Sequence, residues 1–371
     1  MAYPPISETV LNTSIKSNAH EPYYSYQSDI DLYDIHQFTN GQPFKTYDDL
    51  RTNSPIYFQN PPEWDVEPGA WMLTSYKDIM EVSSNPKIFS SQAATGNLMT
   101  LGNPETRHPK LWQTSIDHML NLDGSFHLDL RREHMPFFKP GYVDELHKKV
   151  EIKVETLLDA IAKVGKSNLV KDLSQQIPIF TLSEVLGIPE EDRHKLATWM
   201  EFLELAQYFA AENMKQTQGK AEEMEVDTSM IELFESMIGE MFDYGKHILQ
   251  EKRMNPQNDL LSAIANAELD GAKLSQEYLD GSWLLIIFAG NDTTRNSISG
   301  AIKLLSEFPE QKKKLLSNLD LLPNFAQETI RMVSPVIHMR RTTTCETTLG
   351  NQKLGKGEKV IMWYGAANRD P

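Results

Sequence analysis

An acid and two hydroxyls, Asp292, Thr293 and Thr294, follow directly on the apolar run Trp283-Leu284-Leu285-Ile286-Ile287-Phe288 and the small pair Ala289-Gly290. A helix that is apolar nearly all round is a buried helix, and carboxylates and hydroxyls set in one are costly unless paired, hydrated or put to chemical use. The use such groups have is the donation and acceptance of protons. Ala289 and Gly290 would let a flat group approach the helix backbone where larger side chains could not. Taken alone, the segment reads more simply as a threonine bonded back to its own helix and an aspartate capping a kink.

Two further pairs have suggestive spacing. His127 and Arg131 lie four apart on a helical pattern, so an imidazole and a guanidinium project to one side, a combination suited to a carboxylate ligand. A solvated amphipathic helix is the plainer alternative. Glu328 and Arg331 are three apart and share a helix face ahead of Pro335 and of the strand-like Arg340-Arg341-Thr342. An ordinary surface pair of this kind contributes only about 0.3 kcal/mol.

The elements that must position these groups are mostly helices. Residues 1–30 are polar and aperiodic, an expected loose arm. A short helix over 46–52 precedes strand candidates 55–58 and 71–74, which suggest a small sheet. The stretch 91–122, broken by Gly96, Gly102, Pro104 and Pro109, has the irregularity of a binding lid. Helical patterns then cover 126–137, 143–164, 173–186, 192–214, 229–254 and 260–267. Ser275 is a good N-cap for the apolar helix, with Glu277 adding favourable charge in its first turn. Pro309 opens a short helix, and 322–333 forms another, stopped before Pro335. Strand texture follows at 342–344, 347–349 and 359–363, with turns at Gly350-Asn351 and Gly355-Lys356-Gly357. The expected fold is mainly α with small β-sheets, two in number, in a single domain over 31–371.

Composition narrows the function. With 371 residues, 40% hydrophobic and 24% charged, the chain can bury a large core. A formal net charge of -16 argues against nucleic acid. The longest apolar run is too short to span a bilayer, and the N-terminus lacks a signal-peptide pattern, so the reading is a cytoplasmic protein without a membrane anchor. Cys345 is the only cysteine, which rules out an intrachain disulfide and suits a reducing compartment. The ten histidines are scattered, with no zinc or copper pattern and therefore no metal site built from this chain's own ligands. No Gly-x-Gly-x-x-Gly follows a strand, so no nucleotide-binding site is expected either.

Ala289 to Thr294, the Glu328/Arg331 pair and the closing Ala367-Asn368-Arg369-Asp370-Pro371 together resemble the cytochrome P-450 superfamily, the haem-thiolate monooxygenases. The resemblance is strongest over 284–371, including His338-Met339-Arg340-Arg341-Thr342 and Met362-Trp363-Tyr364, and continues weakly back to about Asp31. It implies the cytochrome P-450 fold, with haem b as cofactor. By that likeness the central helix crosses one face of the haem at Ala289 and Gly290, often locally widened as a π-bulge. Thr293 would hydrogen-bond dioxygen there and Asp292 would help pass protons. His127 and Arg131 would hold a haem propionate, although the lead-in Asp123-Gly124-Ser125-Phe126 departs from the family's usual double proline. Arg341, with Arg340 as the alternative, would meet a propionate. Glu328 and Arg331 would form a buried structural ion pair.

The same resemblance places the thiolate loop well after an Asn-Arg-Asp-Pro segment like 368–371. The expectation is therefore a chain lacking its haem-ligand loop and last helix, inactive as it stands, with the ligand cysteine beyond Pro371. Cys345, seventeen residues past Glu328 and without the Phe and Gly framework of that loop, reads as a small, half-buried strand residue with no catalytic role. Electrons would originate in NAD(P)H and come from a ferredoxin or flavodoxin with its reductase, with Arg131, Arg132 and Lys139 as a basic docking group. The bacterial branch it looks like oxidises terminal methyl groups of alkanes, fatty acids, terpene alcohols and sterol side chains. Trp283, Ile286, Val336 and Ile337 are the expected substrate-pocket residues. The alternatives are a non-catalytic relic that at most binds an apolar ligand, and an acidic helical interaction protein whose motifs match by chance.

Overall fold

The computed structural model describes residues 31–60, 69–92, 109–115, 118–215, 228–269 and 271–371. The expected arm at 1–30 and much of the expected lid, at 93–108 and 116–117, lie outside them. The chain groups into two compact units that interleave along the sequence. The first comprises Met1–Ile6, Pro109–Met119 and Ser125–Lys303; the second comprises Ser7–His108, Leu120–Gly124 and Leu304–Pro371.

The first unit is helical. Long helices run over Pro140–Val164, Arg193–Lys215 and Thr228–Met254, joined by shorter ones at Gln176–Leu186 and Leu260–Asn266. Gly165 and Gly187 end two of them at φ 75° and 66°, the left-handed conformation that glycine takes without a Cβ clash. Asp259 starts the helix Leu260–Asn266 by accepting from the Ser262 amide at 2.7 Å. The apolar helix runs over Gln276–Ala289. Its expected cap is formed, since Ser275 Oγ accepts from the Tyr278 amide at 3.3 Å. A two-stranded ribbon, Glu268–Leu269 with Ala272–Lys273, precedes it.

The second unit is built on one five-stranded sheet: β1 (Ile56–Gln59), β2 (Ala70–Leu73), β3 (Phe89–Ser90), β6 (His338–Thr343) and β9 (Lys359–Trp363), in the order β1-β2-β9-β6-β3. The ribbon of the first unit supplies β4 (Glu268–Leu269) and β5 (Ala272–Lys273), while β7 (Thr347–Leu349) and β8 (Gln352–Leu354) form a separate pair. The described residues thus hold three sheets rather than two: the early strand pair and the late strands share one, and the ribbons β4–β5 and β7–β8 make the other two. Its pivot is the parallel pairing of β2 with β9, Trp71 opposite Val360 and Leu73 opposite Met362.

Side chains alternate across this sheet. Ile56, Trp71, Leu73, Val360 and Met362 enter one core with Ile79, Val82 and Phe89. Tyr57, Ala70, Met72, Ile361 and Trp363 enter another with Tyr47 and Leu50. Cover on both faces explains why Ala70–Leu73 and 360–363 read as unbroken apolar runs. The helices Phe44–Asn53 and Tyr76–Ser83 pack here, the second not expected from the sequence. Leu322–Val333 ends as expected, with Ser334 at φ 46° immediately before Pro335. No helix among the described residues is long and apolar enough to cross a membrane.

Candidate active site

The apolar helix stays buried through Tyr278, Leu279, Trp283, Leu284 and Ile287, then exposes Ala289. Gly290 and Asn291 interrupt it, and a new helix runs over Asp292–Glu307. A break between two helices therefore stands where a π-bulge was expected. Asp292 lies in the first turn of the second helix, where a negative charge is favourable. Its Oδ1 accepts from Arg295 Nη2 at 2.5 Å and Asn296 Nδ2 at 3.0 Å, a grip not anticipated from the sequence although Arg295 stands at ion-pair spacing. Thr293 Oγ1 donates to the Ala289 carbonyl at 3.3 Å, and Ser297 Oγ donates to the Thr293 carbonyl at 2.8 Å.

Two expectations for this helix need correcting. A Cβ on Gly290 would stand 2.9 Å from Leu182 Cδ1, so packing within the unit uses its missing side chain, and Ala289 alone forms the exposed small surface. Trp283 is a core residue rather than a pocket residue. It is 1% exposed, donates Nε1–H to the Met241 carbonyl at 2.9 Å and packs against Trp199 and Tyr244. Ile286 is half-buried.

His127 and Arg131 lie on the helix Gly124–His134 as expected. Nδ1 of the half-buried His127 faces the Met119 carbonyl at 3.1 Å, which selects the tautomer with its proton on Nδ1 and leaves Nε2 for a second partner. Arg131 is exposed and makes no ion pair among the described residues. Arg132, also exposed, pairs with Asp129 at 2.5 Å, and Lys139 is exposed. The departure from the family's double proline has a backbone counterpart, because Gly124 has φ +65°, a conformation closed to proline.

In the second unit, β6 sets Arg341 opposite Val360 and Arg340 opposite Ile361 on β9, so the two arginines leave opposite faces of the sheet. Burial lowers the pKa of Arg341, with Tyr364 and Asp123 acting in the other direction from longer range. Its one hydrogen bond runs from Nη1 to the Arg340 carbonyl at 2.9 Å, and it has no ion pair among the described residues. Asp123, which the sequence reading left without a role, accepts from the Ser91 amide at 3.1 Å to each oxygen and from the Ser90 hydroxyl, fixing the end of β3. Val336 and Ile337 are half-buried, and Ile337 packs against the core around Tyr47 and Trp363.

Glu328 and Arg331 form their expected pair bidentately, at 2.7 Å from Nε and 2.6 Å from Nη2. The hydrogen bond from Arg331 holds the Glu328 carboxyl below its ordinary range. The pair is not buried: its side chains are 42% and 57% exposed, so its strength is that of a surface pair, about 0.2–1 kcal/mol. Arg331 also reaches the Asn368 carbonyl, while Asn368 Nδ2 donates to Ser334 Oγ at 2.8 Å. Asp370 in turn accepts from the Tyr76 amide at 2.7 Å, so the closing segment pins two helix ends. Cys345 is exposed in the bend between β6 and β7, neither in a strand nor half-buried, because the chain turns outward after Thr343.

A sequence model of the cytochrome P450 family matches residues 91–371. The chain belongs to the cytochrome P450 family. This P450 is 30% identical over 341 residues to linalool 8-monooxygenase of Pseudomonas putida, covering 92% of this chain and 79% of that protein. It is also 30% identical over 334 residues to the methyl-branched lipid omega-hydroxylase of Mycobacterium tuberculosis, covering 86% and 71%. A Mycobacterium marinum cytochrome P450 in complex with pseudoionone shares the fold with a TM-score of 0.77 and 28% identity, over 93% of this chain and 81% of that one. The family is one of monooxygenases that use haem iron, with electrons from NAD(P)H arriving through redox partners.

Residues of each unit, taken by itself, suit such a cofactor. The apolar helix opens at Ala289 without a large side chain, as a flat macrocycle requires. Arg341 is a half-buried guanidinium without a carboxylate at ion-pair distance among the described residues, as a propionate partner would be.

Proposed function

We propose that this P450 inserts one oxygen atom from dioxygen into a terminal C–H bond of a long apolar molecule, in the class of alkanes, fatty acids, terpene alcohols and sterol side chains. The observation that carries the reading is the exposed Ala289 followed within four residues by Asp292 and Thr293 at the start of a fresh helix. The substrate class draws support from relatives named for linalool, for the omega position of methyl-branched lipids and for the C26 position of steroids.

The haem supplies dioxygen activation and the C–H oxidation itself. The chain's part is to bind, orient and move protons. Arg341 is assigned to a haem carboxylate through its guanidinium, and His127 and Arg131, four apart on their own helix, are separately assigned to one, with Arg131 supplying the charge. Thr293 Oγ1 exchanges its long hydrogen bond to the Ala289 carbonyl for one to the oxygen reactant, and Asp292, on leaving Arg295, takes up a proton from water and passes it on. Ile286 in the first unit and Val336 in the second are each half-buried apolar residues suited to contact such a substrate. We assign electron delivery to a ferredoxin or flavodoxin in the cytoplasm, docking at Arg131, Arg132 and Lys139.

The test is spectroscopic and then chemical. The full-length haem-bearing protein, reduced under carbon monoxide, should show the thiolate-type haem band, and fatty acids or terpene alcohols should displace the resting haem spectrum. Product analysis should find the hydroxyl at the chain terminus; oxidation confined to internal carbons would remove the terminal assignment.

A further inference from the structure

Three aromatic rings are packed in contact within the first unit. Their centroids lie 6.2 Å apart for Trp283 and Trp199, 5.2 Å for Trp199 and Tyr244, and 5.9 Å for Tyr244 and Trp283. Both indoles are 1% exposed. Among the described residues Trp199 Nε1 has no hydrogen-bond partner, and Trp283 Nε1 meets only the weakly basic Met241 carbonyl. Tyr244 differs: it is half-buried and donates its hydroxyl to Asp192 Oδ2 at 3.0 Å. Asp192 also pairs with Lys195 at 2.8 Å and keeps 23% of its side chain exposed.

This column starts on the helix that carries Ala289. Trp283 stands six residues before Ala289, roughly 9 Å along the axis. From there the rings lead to a phenol whose proton acceptor touches water.

We propose that Trp283, Trp199 and Tyr244 form a relay that carries an oxidising equivalent from the haem site to Tyr244 when dioxygen is activated and no substrate is oxidised. The relay rests on the haem site of the proposed function. One electron leaves the Tyr244 ring and passes through the indoles to the oxidising equivalent at the haem, which is thereby reduced by one electron. The phenolic proton passes to Asp192 Oδ2, leaving a neutral tyrosyl radical beside a neutral carboxyl. A diffusible one-electron reductant of the thiol or ascorbate class then restores the ring, and Asp192 returns the proton.

The chemistry of each station sets the direction. Neither indole has a good acceptor for its proton, so oxidation there gives a cation held in an apolar core, which is unfavourable. Tyr244 alone can lose an electron and a proton together. Burial, and then the bond to Asp192, raise the pKa of its hydroxyl, while the bond from Lys195 holds Asp192 below the usual carboxyl range. The proton therefore stays on oxygen until the electron is withdrawn.

The experiment uses the full-length haem-bearing protein, without substrate, mixed with a peracid and frozen for electron paramagnetic resonance with ring-deuterated tyrosine. The wild type should show a tyrosyl radical. Tyr244→Phe, which keeps the ring packing, should lose that signal and bleach its haem several-fold faster during substrate-free turnover, with product yield on a good substrate unchanged. Asp192→Asn should shift the radical from tyrosine to tryptophan. An undiminished tyrosyl signal in either variant, or unaltered bleaching in Tyr244→Phe, overturns the relay. A preparation that takes up no haem overturns the proposed function and the relay with it, whereas a haem-bearing protein without a Tyr244 radical overturns the relay alone.

Discussion

Arg295 holds Oδ1 of Asp292 at 2.5 Å from three residues further along the same helix. Asp292 remains 43% exposed, whereas Arg295 is 14% exposed, so the acid is the partner free to move. An acid tethered in this way can be released toward a reactant and recaptured. Asp292→Asn should lower turnover about 100-fold with haem content unchanged. Steady-state rates in light and heavy water check this, because the isotope effect should grow when proton delivery becomes limiting. Parent-like turnover would take Asp292 out of that role.

Arg341 offers a guanidinium without a carboxylate partner among the described residues. Arg341→Gln should weaken haem binding roughly tenfold or more, as loss of a charged hydrogen bond implies. Haem titration of the apoprotein followed by absorbance measures it. Unchanged affinity would point to Arg340, on the opposite face of β6.

Lys252 and Asp259 form an ion pair with each side chain 5% exposed, and Lys252 Nζ also donates to the Gly187 carbonyl at 3.2 Å and Gln257 Oε1 at 3.0 Å. Lys252→Met leaves a buried carboxylate without its cation and should cost about 3–5 kcal/mol. Asp259→Asn keeps a capping oxygen for Ser262 and should cost less. Denaturant unfolding of the two variants gives the order, and equal costs would contradict it.

At Gly245, a Cβ would stand 2.5 Å from Trp283 Cδ1 and Nε1. The indole is fixed by its bond to Met241, so Gly245→Ala should destabilise by about 1–3 kcal/mol through overpacking. Thermal unfolding with near-ultraviolet circular dichroism, which reports on the Trp environment, tests both parts.

Burial lowers the pKa of His118, His134 and His338 from 6.5 to about 4 in each case. Between those values the unfolded chain binds protons that the folded one refuses, so unfolding free energy rises with pH. The stability is fully present above 6.5 and is lost progressively as pH falls toward about 4. Unfolding measured across that window should fall with acidification, and His338→Phe, which can keep the contact with the Trp363 ring 4.9 Å away, should flatten the fall. An identical acid slope in the variant would exclude His338 from the effect.

Local signals in the sequence determined the local structure. Ser275 caps its helix through an amide three residues on, and Pro335 stops Leu322–Val333, because capping and proline sterics act within one turn of chain. The pairing of Glu328 with Arg331 was legible for the same reason. The motifs of the family, in Ala289 to Thr294 and in Asn368 to Pro371, were likewise readable as residue types in order.

What the tertiary structure decided depends on partners far apart in the chain. The sheet joins Trp71 to Val360, a pairing with no trace in either strand's own sequence, and so unites what read as two sheets. Trp283 looked like a pocket residue until Met241, Gly245 and Trp199 closed around it. Gly290 looked open until Leu182 took its space, and the Glu328 pair looked buried until its exposure was seen. Periodicity and spacing give the side a residue projects from, but the neighbours that meet it there come from other turns and strands, and only the folded chain brings them together.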